Sequence, residues 1–262
     1  MDTMNHILVH VADQIGRITL NRPDVRNAFN DEVIAELTHA FRGLGDEPSV
    51  RCIVLAAEGS AFCAGADLNW MRRMADYSYD ENVADAGALA EMLRTIASCP
   101  KPTIARVQGD VYAGGTGLVA ACDMAVALET AHFCISEVKI GLCPATISPY
   151  LIRAMGIRAA QRYWLTAERF TAQEALAMGL VTQTAATTNE LDTTVDALCK
   201  SLCAASPNAI KATKDLIESV TNEAITPELI AQTVQAIAVA RSSIQGKEGV
   251  QAFLQKRKPN WL

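Results

Sequence analysis

The stretch from Gln108 to Pro144 constrains the fold more than any other part of the chain. A β-branched run at Thr103–Val107 leads into it and ends at Gly109. Gly114, Gly115 and Gly117 follow, and then the apolar Leu118–Cys122. That order predicts a strand, a glycine turn and a helix start. Glycines at such a turn let the backbone approach a ligand closely. The first N–H groups of the helix point outward with the positive end of its dipole. A turn of this kind can hold an anion or stabilise a developing oxyanion.

A second segment has the same design. Ile53–Ala57 reads as a buried strand that empties into Gly59-Ser-Ala-Phe-Cys-Ala-Gly-Ala-Asp67. Mostly small side chains from Phe62 to Asp67 leave the backbone amides accessible, and Asp67 is placed to cap a short helix over Leu68–Met74. Each segment taken singly is an ordinary structural turn. The two together predict a pocket with two N–H donors.

The other helices and strands support an α/β core. Ile7–Val11 and Arg17–Asn21 read as a hairpin around Asp13–Gly16, broken by Arg22-Pro23. Asn30 is placed to cap a helix whose apolar positions Val33, Ile34, Leu37, Phe41 and Leu44 follow the 3.6-residue period. Arg51–Ala57, Thr103–Val107, Met124–Leu128 and His132–Ile135 read as strands, and Asp80–Ser98 as a long helix. Strands and helices in this rhythm predict parallel pairing. From Ser148 onward the texture is helical: Ser148–Met155, Gly156–Thr166, Thr171–Met178, Leu191–Ala205, Pro207–Thr221 and Pro227–Ile244, then an amphipathic turn at Gly249–Lys256. Only Leu180–Gln183 in that half reads as a strand.

Composition excludes several functions. A chain of 262 residues that is 50% apolar and 20% charged can bury a substantial core and is not a disordered protein. A net charge of −6 argues against nucleic acid or an anionic membrane surface as partner. No apolar run is long enough to span a bilayer. The first residues, Met1–His6, lack a basic segment followed by an apolar one, so a cytoplasmic protein without an export signal is expected. The eight cysteines form no Cys-x-x-Cys pair, and the four histidines show no zinc spacing. No metal is expected.

Phe62-Cys-Ala-Gly-Ala-Asp-Leu68, Ala113-Gly-Gly-Thr-Gly117, Cys122-Asp123 and Ser136-Glu137 resemble, in content and spacing, the signature of the enoyl-CoA hydratase/isomerase (crotonase) family. The resemblance runs from Leu20-Asn-Arg-Pro23 to Lys256-Arg-Lys258. It implies a crotonase-like α/β spiral of ββα turns over residues 1–200, with the acyl-CoA site. Residues 201–262 would then be a helical oligomerisation region that makes trimers, commonly paired into hexamers. It also implies an acyl-CoA thioester as substrate, with coenzyme A as part of that substrate and no separate cofactor.

The resemblance assigns the oxyanion donors to the N–H groups of Ala66 and Gly114, and proton transfer at the α carbon to Glu137. The neighbours of Glu137, namely Val138, Ile140, Leu142 and Pro144, are apolar, a setting that raises a carboxyl pKa toward neutrality. A glutamate paired with Lys139 is the plainer alternative. Substrate binding is assigned to Arg26, Ala28, Ala64, Gly65, Asp67, Leu68, Tyr112, Gly117 and Lys256. Arg26 stands in for a family lysine where this chain has Asp24, and Lys256 matches a C-terminal lysine near the adenosine phosphate. A free carboxylate on the substrate would meet Arg72, Arg73 or Lys139.

The chain departs from the family at Gly117, where two-carboxylate hydratases carry their first glutamate. One carboxyl suffices for a Δ3,Δ2-enoyl-CoA isomerase, and a non-catalytic CoA-ester binder needs none. Yet Ala64-Gly-Ala-Asp-Leu68, Cys122-Asp-Met-Ala125 and Ile147-Ser-Pro-Tyr150 are most similar to bacterial methylglutaconyl-CoA hydratases. The expectation is therefore hydration of a short or branched 2-enoyl-CoA such as 3-methylglutaconyl-CoA.

Overall fold

A computed structural model describes residues 6–262, so the expected lack of an export signal at Met1–Asn5 falls outside the described residues. Strands β1 (Ile7–Ala12) and β2 (Ile15–Leu20) form the antiparallel hairpin. Its turn is Asp13 and Gln14, both at positive φ (49° and 66°), the twist that suits two antiparallel strands. Asn30 caps helix α1 (Asp31–Asp46) by accepting the Val33 amide at 3.0 Å. Val33, Ile34, Leu37, Phe41 and Leu44 are all buried.

Strand β3 (Cys52–Ala57) is buried at every position. Its side chains alternate between two cores. Ile53, Leu55 and Ala57 join the main cluster, while Cys52 and Val54 join a second one that includes Leu191, Val195 and Cys199. A strand covered on both faces reads as an unbroken apolar run. β3 pairs in parallel with β2 on one side and with β5 (Thr103–Val107) on the other, and β5 pairs in parallel with β7 (Met124–Leu128).

A second sheet is made of strands so short that the sequence shows only one of them, the strand expected at His132–Ile135. β4 (Ala61–Cys63) and β6 (Asp110–Tyr112) lie inside the two small-residue loops, and with β8 (His132–Cys134) and β9 (Phe170–Thr171) they make the order β4-β6-β8-β9. The chain thus alternates between sheets: β3 then β4, β5 then β6, β7 then β8. Helices follow each pair, namely α2 (Leu68–Met74) with α3 (Tyr79–Ala97), α4 (Gly114–Ala121), and α5 (Ser148–Thr166). This is the ββα spiral that the resemblance implies. Parallel strands need such crossovers. Phe29, Phe41, Phe62, Phe133 and Phe170 are fully buried in the main core.

The second half departs from the sequence reading at one strand and at its last two helices. The strand expected at Leu180–Gln183 is instead β10 (Gln183–Ala185), which pairs with β7 after α6 (Ala172–Met178). Leu180 and Val181 are drawn into the main core, and the Thr182 hydroxyl donates to Ala125 O at 2.7 Å. The two helices expected over Ser148–Met155 and Gly156–Thr166 are the two arms of α5, divided by a non-helical Gly156 (φ 75°, ψ 161°). The helix expected over Pro227–Ile244 ends at Ser242 as α9 (Pro227–Ser242), after α7 (Thr188–Ala204) and α8 (Pro207–Val220). Ser243 accepts the Gly246 amide at 2.9 Å and so starts α10 (Ile244–Leu254), well before the turn expected at Gly249.

α7 crosses the expected division at residue 200 and packs on the large sheet, whereas α8, α9 and α10 pack on one another. Neither α8 nor α9 fully buries a residue, and Ile217, Ile230, Val234, Ile237 and Val239 are exposed. Among the described residues no helix is long and apolar enough to cross a membrane.

Candidate active site

Three neighbouring strands of the small sheet place the site. β4, β6 and β8 run parallel, so their C-terminal ends share one edge, where ligands of open parallel sheets bind. Just beyond β4 comes Ala66, beyond β6 comes Gly114, and beyond β8 comes Glu137. Residues far apart in sequence therefore meet because each follows an adjacent strand.

The two donor loops touch. A Cβ on Gly65 would lie 3.1 Å from Ala113 Cβ, and one on Gly115 would lie 2.9 Å from both Cys63 Cβ and Cys63 O. Phe29 stands against both loops. Its backbone bridges Ala66, and a Cβ on Gly114 would lie 2.5 Å from its ring. Neither the Ala66 nor the Gly114 N–H donates to an acceptor among the described residues. At Gly114 this follows from its place as the first residue of α4, where helix N–H groups have no intrahelical partner.

Ala113, immediately before that helix, sits at φ 46°, ψ −124°. A conformation so sparsely populated costs about 1–3 kcal/mol and persists only where its surroundings over-determine it. Here the Ala113 N–H donates to Cys134 O at 2.8 Å, and its carbonyl accepts both the amide and the hydroxyl of Thr116.

Glu137 opens a short 3-10 turn, Glu137–Ile140. The group is half-buried, and its Oε2 is buried with no hydrogen-bond partner. Burial raises its pKa above the ordinary glutamate value, partly offset by the backbone N–H groups of Glu137 and Ser136. The alternative pairing with Lys139 is not formed among the described residues. A buried, unpaired carboxyl oxygen is costly unless something else binds it.

Arg26, Ala64 and Tyr112 line a cavity of about 320 Å³ together with Ser60, Ala61, Asp110 and Arg169, while Ala66, Gly114 and Glu137 are not among its lining residues. No sequence motif singles out Arg169 as a site residue. The pairing of β9 with β8 brings it there, where it donates to Asp110 at 3.1 Å and lies over the Tyr112 ring. Gly65 turns the loop at φ 91°, and Ala28 is buried with its carbonyl accepting from Arg22. Leu68 is 68% exposed, at the start of α2.

Asp67 is not free to bind a ligand through its carboxylate. It caps α2 and pairs with Arg22 at 2.8 Å. Burial pushes its carboxyl up, but Arg22 and the amides of Asn69 and Trp70 outweigh that and hold it below the usual carboxylate range. Arg73 is likewise engaged, by Asp31, and Arg72 donates to Asn69, whereas Lys139 is exposed. Lys256 lies beyond α10 and does not line the cavity. Cys199 and Cys203 pack with Cys52 in the second core cluster.

Gly117 is buried, and its missing side chain is replaced by another residue. A Cβ there would lie 2.3 Å from Ile147 Cγ2 and 3.5 Å from Leu93 Cδ2. Ile147 thus fills the space into which a side chain at position 117 would start. Gly117→Glu is expected to destabilise the fold by about 1–3 kcal/mol through overpacking. Adding Ile147→Ala should recover part of that loss in thermal melts, and no recovery would contradict this packing.

Comparison with known proteins shows the family and the fold. The sequence model of the family described as enoyl-CoA hydratase/isomerase matches residues 10–262. The enoyl-CoA hydratase AKT6-1 of Alternaria alternata is 34% identical over 242 residues, covering 92% of this chain and 79% of its own. The crystal structure of an enoyl-CoA hydratase from Shewanella pealeana superposes with a TM-score of 0.96 at 39% identity, covering 98% of this chain and 96% of that one. An enoyl-CoA hydratase from Mycobacterium smegmatis gives a TM-score of 0.91 at 35% identity, covering 98% of each chain.

Proposed function

Because the chain belongs to the enoyl-CoA hydratase/isomerase family, which acts on acyl-CoA thioesters, we propose that it adds water to a short or branched 2-enoyl-CoA, such as 3-methylglutaconyl-CoA. The thioester oxygen sits between the Ala66 and Gly114 N–H groups. They stabilise the negative charge that develops there as the double bond is attacked. Glu137 handles the protons.

With Ile147 in the space beside Gly117, the one carboxyl serves both carbons. It takes a proton from water as the water oxygen bonds to Cβ and the double-bond electrons move toward the thioester. It then delivers that proton to Cα. The observation that supports this most is the buried, unpartnered Oε2 of Glu137, at the same sheet edge as two unpaired amides. A carboxyl with a raised pKa can trade protons near neutral pH. The nucleotide end of the substrate lies along the cavity beside Arg26 and Arg169.

The glycine at position 117, in place of a first catalytic glutamate, also favours another reading, a Δ3,Δ2-enoyl-CoA isomerase in which Glu137 moves a proton between carbons. Crotonyl-CoA, 3-methylglutaconyl-CoA and 3-hexenoyl-CoA, followed by enoyl absorbance, separate the two. Hydration lowers the absorbance of the first or second, and isomerisation raises that of the third. No change with any of them leaves a CoA-ester binder. Residues 201–262 form the oligomerisation region of a homotrimer or homohexamer, a reading supported by the exposed apolar residues of α8 and α9 and checked by light scattering.

A further inference from the structure

Ala66 is held from both sides. The Phe29 N–H donates to Gly65 O and the Asp67 N–H donates to Phe29 O, both at 2.9 Å. This bridge is isolated, outside either sheet, and the same two segments share one further backbone bond, from the Ala64 N–H to Arg26 O at 2.9 Å. A guanidinium adds a side-chain restraint on the other side of the bridge. Arg22 Nη1 donates to the carbonyl of Ala28, the residue before Phe29. Its Nη2 donates to Oδ2 of Asp67, the residue after Ala66, at 2.8 Å.

The other carboxyl oxygen of Asp67 accepts the N–H groups of Asn69 at 2.8 Å and Trp70 at 3.3 Å, which ties the clamp to α2. The two side chains are only 19% and 7% exposed, so solvent and salt screen the pair weakly. Arg22 is anchored in turn. Its N–H donates to Asn27 Oδ1 at 2.9 Å, and Asn27 Nδ2 donates to Glu58 O and Ala61 O.

We propose that Arg22 is the positioning residue of the oxyanion pocket: by gripping Ala28 and Asp67 at once, its guanidinium clamps the two segments that meet at the Phe29–Ala66 bridge and fixes where the Ala66 N–H points. The inference deepens the proposed function and rests on it. Arginine suits the task because its planar fork reaches two acceptors in fixed geometry. A lysine ammonium keeps the charge without the fork.

The test uses Arg22→Lys and Asp67→Asn, with the CoA thioester of 4-(dimethylamino)cinnamic acid as probe. Its absorption moves to the red as the carbonyl oxygen is polarised. The wild-type protein should shift the bound probe to the red. Arg22→Lys should bind it with affinity within about threefold yet lose most of the shift, with kcat down about 10- to 100-fold at similar KM. The acid limb of the pH profile, set by Glu137, should stay in place. Asp67→Asn keeps a good cap on α2 and should move the same way, so it carries the test if Arg22→Lys does not fold.

Folded variants that melt lower but keep the wild-type shift and kcat would overturn the proposal and leave Arg22 a structural residue. A wild-type protein that binds the probe without a shift would instead remove the oxyanion reading beneath it.

Discussion

Glu137→Gln is expected to lower kcat by about 10²- to 10⁴-fold and to leave the affinity for CoA thioesters within about threefold. Glutamine keeps the shape of the side chain but neither takes nor gives a proton at neutral pH. The loss should be large because no second glutamate stands at position 117. Position 117 is glycine and its side-chain space holds Ile147. A protein that only binds CoA esters would have no turnover to lose.

The same substitution should raise stability, in a pH-dependent way. Burial raises the Glu137 pKa in the folded chain, so the folded chain keeps this proton to higher pH than the unfolded chain does. Below the ordinary glutamate value, about 4.3, both states are protonated and the group contributes nothing. As pH rises through the folded pKa, the native state carries a buried charge and loses stability relative to the unfolded one. Glu137→Gln removes that penalty. The variant should melt above the wild type at pH 8, with the gap closing toward pH 4. Equal melting temperatures at both pH values would contradict the burial of this carboxyl.

The second large effect concerns atoms that no ordinary substitution can remove. Replacing Gly114 by glycolic acid turns its peptide bond into an ester and deletes the N–H alone. Lactic acid does the same at Ala66. Each change should cost about 10²- to 10³-fold in kcat, or about 3–4 kcal/mol of barrier. The two losses should not add, because the donors act on one oxygen as a unit. Gly114→Ala is a poorer probe, since its Cβ would press into the Phe29 ring at 2.5 Å. An ester at Gly114 with near-normal kcat would show that this amide does not face the reacting oxygen.

Much of the fold was legible because local signals and tertiary structure agree. Asn30 and Asp67 cap the helices expected of them, and Thr103–Val107 and Met124–Leu128 are strands over the expected residues. The small sheet was hidden because β4 and β6 have three residues each and β9 two, too few for a period to show, and only β8 was legible as a strand. Their pairing is also non-local. Yet that sheet sets the site, by putting Ala66, Gly114 and Glu137 at the ends of adjacent strands. The glycine loops announced accessible amides. They did not announce that Phe29 would join them, that Arg22 would brace them, or that Ile147 would fill the space beside Gly117. Asp67, read as substrate-binding, turns inward because a helix N-terminus and a guanidinium both claim its oxygens.

The most direct test of one carboxyl acting on a thioester held by two amides is hydrogen exchange at Cα. The saturated CoA thioester of the acyl chain identified by the substrate panel is incubated in D2O with protein, and deuterium at Cα is read by NMR. Wild-type protein should introduce deuterium there, and Glu137→Gln, shown to bind the same thioester, should slow the labelling by about 10²-fold or more. Labelling by Glu137→Gln at the wild-type rate would contradict the account.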